Sequence, residues 1–248
     1  EDAIDYELMI SKAKQYINDK KYDLPWSFVM VDEYQDISPQ RLDLIEAICH
    51  NENTHNTKAT LFAVGDDWQA IYRFAGADVS LTTGFEKRFQ STQIAHLSTT
   101  YRFNDQIGAV ANRFIQENPM QLKKELISFT KQKRKAVKVI EHCSIEKELL
   151  SLSKNARKGE NVVILGRNHN HKPDNFDEWL KYYPGLNLEY KTCHASKGTE
   201  ADYVFIVEMT DGQFPMKSRA ESLDGALLPH EEDFSYAEER RLFYVALT

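Results

Sequence analysis

The chain has 248 residues, enough for one large or two ordinary domains. Its apolar and charged fractions, 42% and 28%, are those of a soluble globular protein, and no apolar run approaches the ~18 residues of a membrane span, which excludes a transmembrane class. The net charge of -7 gives no general affinity for nucleic acid, although phosphate contact needs only a local basic groove.

Three cysteines, Cys49, Cys143 and Cys193, are far apart and odd in number. They argue against a disulfide framework and for a reducing, cytoplasmic compartment. The start, Glu1 to Tyr6, lacks the basic and apolar regions of a signal peptide. The end, Val245 to Thr248, stops inside an apolar segment, so the chain is expected to be a piece of a longer protein.

In chain order, Ile4, Leu8, Ala13, Tyr16 and Ile17 recur at helical spacing and predict an amphipathic helix over residues 2–19. Phe28 to Val31 is a short apolar run that ends on Asp32 and Glu33. Such a run reads as a buried parallel strand. In open α/β sheets ligands sit beyond the carboxyl ends of strands, so this pair fits a site for Mg²⁺ and phosphate. The alternative is a loop that merely turns acidic after a core strand. Ser38-Pro39 is a helix start, with Leu42, Leu44, Ile45 and Ile48 as its buried face. Thr60 to Val64 predicts a second strand, breaking into Gly65-Asp66-Asp67-Trp68-Gln69. Two strands with acidic ends, joined by a helix, describe half of a parallel α/β sheet.

The Gln69 amide can donate and accept at once, which suits reading a phosphate or a positioned water. Tyr72 and Phe74 flank Arg73; they suit base stacking on a single strand, or the core of a short helix. Residues 78–92 predict a short helix and linker. A strand is expected at Ile94 to Leu97, followed by Thr100-Tyr101-Arg102 and a helix over residues 105–116. The planar fork of Arg102 suits phosphate; the plainer fate of such an arginine is a surface ion pair.

Residues 120–135 are rich in Lys and Arg, as in a solvated loop or a nucleic-acid backbone contact. Strands are predicted at 136–140, 162–165, 186–191 and 203–207, and helices at 145–156, 174–182 and 238–248, the last with Leu242, Val245 and Ala246 inward. Asn168-His169-Asn170-His171 reads as a polar surface loop, because no matching Cys/His pair stands at metal-ligand spacing. Thr192-Cys193-His194-Ala195-Ser196-Lys197-Gly198 offers hydroxyl, imidazole and ammonium donors between two strands; His194 could serve as a general base, but no nucleophile constellation surrounds it. Residues 209–234 read as a long loop rich in acid, Gly and Pro.

Taken in order, Asp32-Glu-Tyr-Gln-Asp36, the segment Val64 to Ala77, Thr100-Tyr-Arg102, the segment Thr192 to Glu200 and the segment Glu238 to Thr248 resemble the UvrD/Rep-like superfamily-1 DNA helicases. The resemblance implies an α/β fold of two RecA-like lobes of the P-loop NTPase type, with parallel sheets. The first lobe, residues 1–97, is incomplete; the second, residues 98–248, is truncated. It implies ATP and Mg²⁺ as cofactors, and single-stranded and partly duplex DNA as partners, with translocation 3′ to 5′. Asp32 would hold Mg²⁺ and Glu33 would activate water. Gln69 would sense the γ-phosphate, Arg102 would stabilise its charge, and Glu200 would touch the nucleotide sugar. Tyr72, Phe74 and His194 would contact single-stranded DNA.

The departures also carry expectations. No Gly-x-x-x-x-Gly-Lys-Ser/Thr loop occurs in the sequence, and the last motif stops one residue before the arginine that the family places there. Ala75 stands where many relatives have arginine, and about 90 residues between Arg102 and Thr192 leave no room for a large inserted domain. The parent is therefore expected to be a helicase, and these 248 residues alone to be inactive, with an uncovered sheet edge that favours self-association around residues 1–90. Two competing readings are a non-catalytic DNA-binding or interaction module without a P-loop, and a nuclease built on Asp32, Glu33 and Asp36.

Overall fold

A computed structural model describes residues 4–89, 91–141, 144–155, 157–217 and 232–248. They form a mixed α/β structure with small parallel sheets, in two compact units. One unit is built mainly on residues 1–93, the other on 94–219 and 232–248. Cys143 and residues 218–231 of the predicted acidic loop lie outside the described residues.

In the first unit, helix α1 (Tyr6–Asn18) starts on Asp5, whose carboxylate accepts from Leu8 N at 2.7 Å. Its predicted apolar face is largely exposed: Ile4, Leu8 and Tyr16 are open to solvent, and Ile17 alone is buried in the helix, against Leu24 and Ala47. Strand β1 (Phe28–Val31) leads to helix α2 (Pro39–His50), capped by Ser38 Oγ, and then to strand β2 (Thr60–Ala63). The two strands pair in parallel, with Phe28 opposite Thr60 and Met30 opposite Phe62. This is the predicted strand–helix–strand unit. The expectation that β1 is buried on both faces fails. Val31 and Ala63 pack against Tyr34, Ile37, Leu42 and Leu81, but Phe28 and Met30 are 70% and 77% exposed, and Phe62 and Val64 are exposed on the same face. Among the described residues nothing covers that face, so one side of the sheet alternates with the other instead of both being core. Short helices α3 (Ser80–Thr83) and α4 (Phe85–Arg88) close the unit.

In the second unit, the strand expected at 94–97 is absent. The pairing falls on β3 (Thr99–Thr100), parallel to β4 (Ile127–Ser128) inside the basic stretch. Leu97 is 89% exposed: the apolar run had no partner strand, and extended backbone without a ladder is not a strand. Residues 136–140 are likewise irregular, for the same reason. Helix α5 (Asp105–Ile115) begins at Asn104, whose Oδ1 accepts from Gln106 N and Ile107 N at 3.0 and 3.2 Å. Gly108 lets that helix lie against β4, since a Cβ there would come within 2.7 Å of Ser128 Oγ.

The core of this unit is a three-stranded parallel sheet: β5 (Asn161–Gly166) sits between β6 (Asn187–Thr192) and β7 (Tyr203–Ile206). Val162, Ile164 and Leu165 are buried, as a central strand requires. Helices α6 (Ile145–Asn155) and α7 (Phe176–Tyr182) place Leu149, Phe176 and Trp179 on it. Helix α8 (Ala237–Leu247) ends the chain, with Leu242, Tyr244 and Ala246 buried. No helix among the described residues is long and apolar enough to cross a membrane.

Candidate functional site

The acidic pair leaves β1 in a two-residue loop clamped by one residue of β2's extension. Val64 N donates to Val31 O at 2.8 Å, and Tyr34 N donates to Val64 O at 2.9 Å. Asp32 and Glu33 are looped out between these bonds and are exposed. The loop closes because Glu33 takes a left-handed conformation, φ 50° and ψ 42°. Asp32 Oδ1 accepts from Glu33 N at 2.8 Å, which ties its carboxylate to the loop backbone.

Beside them, Gly65 to Gln69 leave the end of β2. Asp66 caps the short turn over Asp67–Gln69, its Oδ1 accepting from Trp68 N at 3.1 Å. Its Oδ2 accepts from Gln69 Nε2 at 2.7 Å. Gln35, 1% exposed, lies between the two strand ends. Its Nε2 donates to Glu33 Oε2 at 2.5 Å, and its Oε1 accepts from Asp66 N at 2.8 Å. Glu33 and Gln69, predicted separately from two motifs, thus belong to one hydrogen-bonded cluster. Gln35 was missed in the sequence; the available signal was an amide, able to donate and accept, two residues from a carboxylate.

Tyr72 and Phe74 are in edge contact, ring centroids 5.8 Å apart, with Phe74 exposed and Tyr72 half-buried. They are therefore not core aromatics of a short helix. Asp78 N donates to Ile37 O at 3.0 Å, which ties this segment back to the first motif.

In the second unit, Arg102 and Glu200 come together. Arg102 Nε donates to Glu200 Oε1 at 3.4 Å across 98 residues of sequence, and both side chains are exposed. His194 is half-buried in the turn that follows β6, within residues 193–198. The thiol of the preceding Cys193 is buried, and that burial pushes it up to about 12, with Arg167 opposing the rise and Glu239 adding to it. In the 168–171 stretch His169 and Asn170 are exposed, as a polar surface loop requires, but His171 is buried, its Nε2 3.1 Å from Gln213 Oε1. Arg241 in the last helix is buried too, paired with Glu232 at 2.5 Å and with Gln121 at 3.2 Å.

The described residues contain no cluster of three or more His, Cys, Asp or Glu side chains fit to enclose a metal. The hard oxygen donors at the end of β1 fit Mg²⁺ all the same. That ion is usually held by one or two carboxylates, its remaining positions filled by water and substrate phosphate.

Residues 1–90 match the UvrD/REP helicase N-terminal domain, and residues 186–248 match the UvrD-like helicase C-terminal domain. The chain belongs to the UvrD/Rep helicase family. Among individual relatives, it is 47% identical to DNA helicase IV of Escherichia coli (strain K12) over its whole length, which is 36% of that protein. It is 26% identical to a probable DNA helicase of Mycoplasma pneumoniae over 89% of the chain and 41% of the relative. It is 34% identical to the ATP-dependent DNA helicase Rep of Buchnera aphidicola over 45% of the chain and 17% of the relative. The chain thus spans less than half of the length of each of these relatives.

Proposed function

We propose that this chain is part of an ATP-dependent DNA helicase that moves 3′ to 5′ along single-stranded DNA and unwinds duplex DNA in the cytoplasm. The observation that carries this reading is the cluster joining Glu33 to Gln69 across two parallel strand ends. Phosphoryl transfer needs positioned charge far more than covalent help, and this cluster supplies fixed positions. Bound Mg²⁺ would neutralise phosphate charge, and the Asp32 carboxylate would hold it, through water. Glu33 would orient and deprotonate the attacking water. The Gln69 amide would read the γ-phosphate. Arg102 would stabilise its developing charge, and Glu200 would accept from the nucleotide sugar. Tyr72, Phe74 and His194 would meet single-stranded DNA, the exposed ring of Phe74 offering a face for a base.

The two units correspond on this reading to two RecA-like lobes, residues 1–97 and 98–248, the first lacking its P-loop strand. The 248 residues contain no Gly-x-x-x-x-Gly-Lys-Ser/Thr sequence, so by themselves they are expected not to hydrolyse ATP. The exposed face of β1 and β2, with Phe28, Met30, Phe62 and Val64, favours self-association of this segment. Sedimentation of the purified segment should show dimers or larger species; a monomer at all concentrations would remove that part of the reading. The main test compares the protein expressed from its uninterrupted reading frame with the 248-residue segment. Single-stranded DNA should stimulate ATP hydrolysis by the former and not the latter. DNA-stimulated hydrolysis by the segment, or none by the longer protein, would refute the proposal.

A further inference from the structure

Among the residues that join the two strand ends, Gln35 carries no assigned role. It is nearly inaccessible, yet both ends of its amide are engaged. Backbone N–H of Asp66 can only donate, so Oε1 must face it, and Nε2 must face the Glu33 carboxylate. Asp66 then holds Gln69 through its own side chain. The donors run in one direction on each side of Asp66: from Gln69 Nε2 to the Asp66 carboxylate, and from Asp66 N through Gln35 to Glu33. The backbone of position 65 must stay clear for this. A Cβ on Gly65 would approach Gln35 Oε1 to 2.9 Å and Gln35 N to 3.2 Å. Glutamate at position 35 would keep the acceptor for Asp66 but lose the donor for Glu33. Methionine would lose both.

We propose that Gln35 is a positioning residue that couples Glu33 to Gln69, so that the water-orienting carboxylate and the phosphate-reading amide keep one fixed relation. This rests on the roles proposed above for Glu33 and Gln69. A short chain of hydrogen bonds centred on a buried amide engaged at both ends is stiff, so a shift at one end is felt at the other. Because Gln35 acts through Glu33 and makes no contact of its own with substrate, its loss should reduce turnover and leave nucleotide affinity intact.

The test uses the protein from its uninterrupted reading frame, with Q35E, Q35M and, as a reference, E33Q. Three quantities are read: kcat and KM of DNA-stimulated ATP hydrolysis, nucleotide affinity, and amide hydrogen exchange of the peptide spanning 64–69. Q35E should lower kcat by roughly tenfold or more, the scale on which a misplaced general base acts, with nucleotide affinity within about twofold of wild type. Its exchange at 64–69 should match wild type, because the Asp66 N–H keeps an acceptor. Q35M should lower kcat and also speed that exchange. E33Q should bind nucleotide without hydrolysing it. If E33Q is dead but Q35E turns over within about threefold of wild type, Gln35 is a packing residue and the coupling is refuted. If Q35E fails to fold, a Q35M protein with wild-type turnover refutes it equally. If E33Q itself hydrolyses ATP normally, the roles assigned to the site are what fail.

Discussion

Glu239 anchors the second unit's C-terminal helix to two other segments. Its carboxylate accepts from Arg167 Nε at 2.9 and 3.1 Å and from Arg167 Nη2 at 2.7 Å, a paired fork geometry. It also accepts from Met216 N at 3.0 Å. One carboxylate thereby binds the end of β5, the 216 loop and α8. The side chains of Arg167 and Glu239 are 18% and 12% exposed, so Glu239→Ala leaves a largely buried guanidinium without its carboxylate. Removing one partner of a buried pair costs about 3–5 kcal/mol, and partial access of water places this one at about 3 kcal/mol. That is about a hundredfold in the opening equilibrium. Amide exchange of β5, the central strand, reports that opening. Exchange at Val162 to Leu165 should therefore accelerate about a hundredfold in Glu239→Ala. Replacing both partners, Arg167→Met with Glu239→Leu, should restore most of the protection, since no charge is then left alone. An acceleration under about threefold in the single variant, or a double variant worse than both singles, would refute the account.

Other outcomes follow from the geometry. Gly65→Ala should destabilise the first unit by about 1–3 kcal/mol, because its methyl group displaces the buried Gln35 amide from the Asp66 N–H; an unchanged urea midpoint would show that the amide yields freely. Arg102→Ala should cost less than about 1 kcal/mol of stability, since its ion pair with Glu200 is long and exposed. In the longer protein the same change should lower ATP turnover by about a thousandfold, and a loss of melting temperature in step with the loss of activity would argue against a phosphate role. Burial raises the Cys193 thiol from 9.0 and the Tyr34 phenol from 10.0, each to about 12. The fold favours their neutral forms, so this stabilisation is whole below pH 9.0 and is lost as pH rises toward about 12. Urea midpoints should fall through that window, less steeply in Cys193→Ala, and thiol reagents near neutral pH should reach Cys193 only on unfolding.

The elements legible in the sequence were those whose pattern is local. Ser38-Pro39 announces α2 through a capping hydroxyl and a proline, and β5 announces itself by a continuous Val-Val-Ile-Leu run. The errors arose where a partner distant in sequence decides. Ile94 to Leu97 and residues 136–140 have strand-forming residues but no ladder, whereas Thr99–Thr100 and Ile127–Ser128 are too short for any period to show and exist only by pairing. His171 sits in a polar stretch, and the partner its buried ring meets, Gln213, lies 42 residues on. The motifs singled out Glu33 and Gln69 and carried Gln35 without a role; its link between the two forms only when two strand ends are brought side by side.

The left-handed backbone at Glu33 has a consequence of its own. That conformation costs an ordinary L-residue roughly 1 kcal/mol, and asparagine or glycine would occupy it more comfortably. Neither carries a carboxylate. At this one position, tolerance to heat and capacity for chemistry pull toward different amino acids. Selection for hardiness alone would be expected to erode the strand exit long before it disturbed the core, and the glutamate's persistence in a lineage would itself be a record of use.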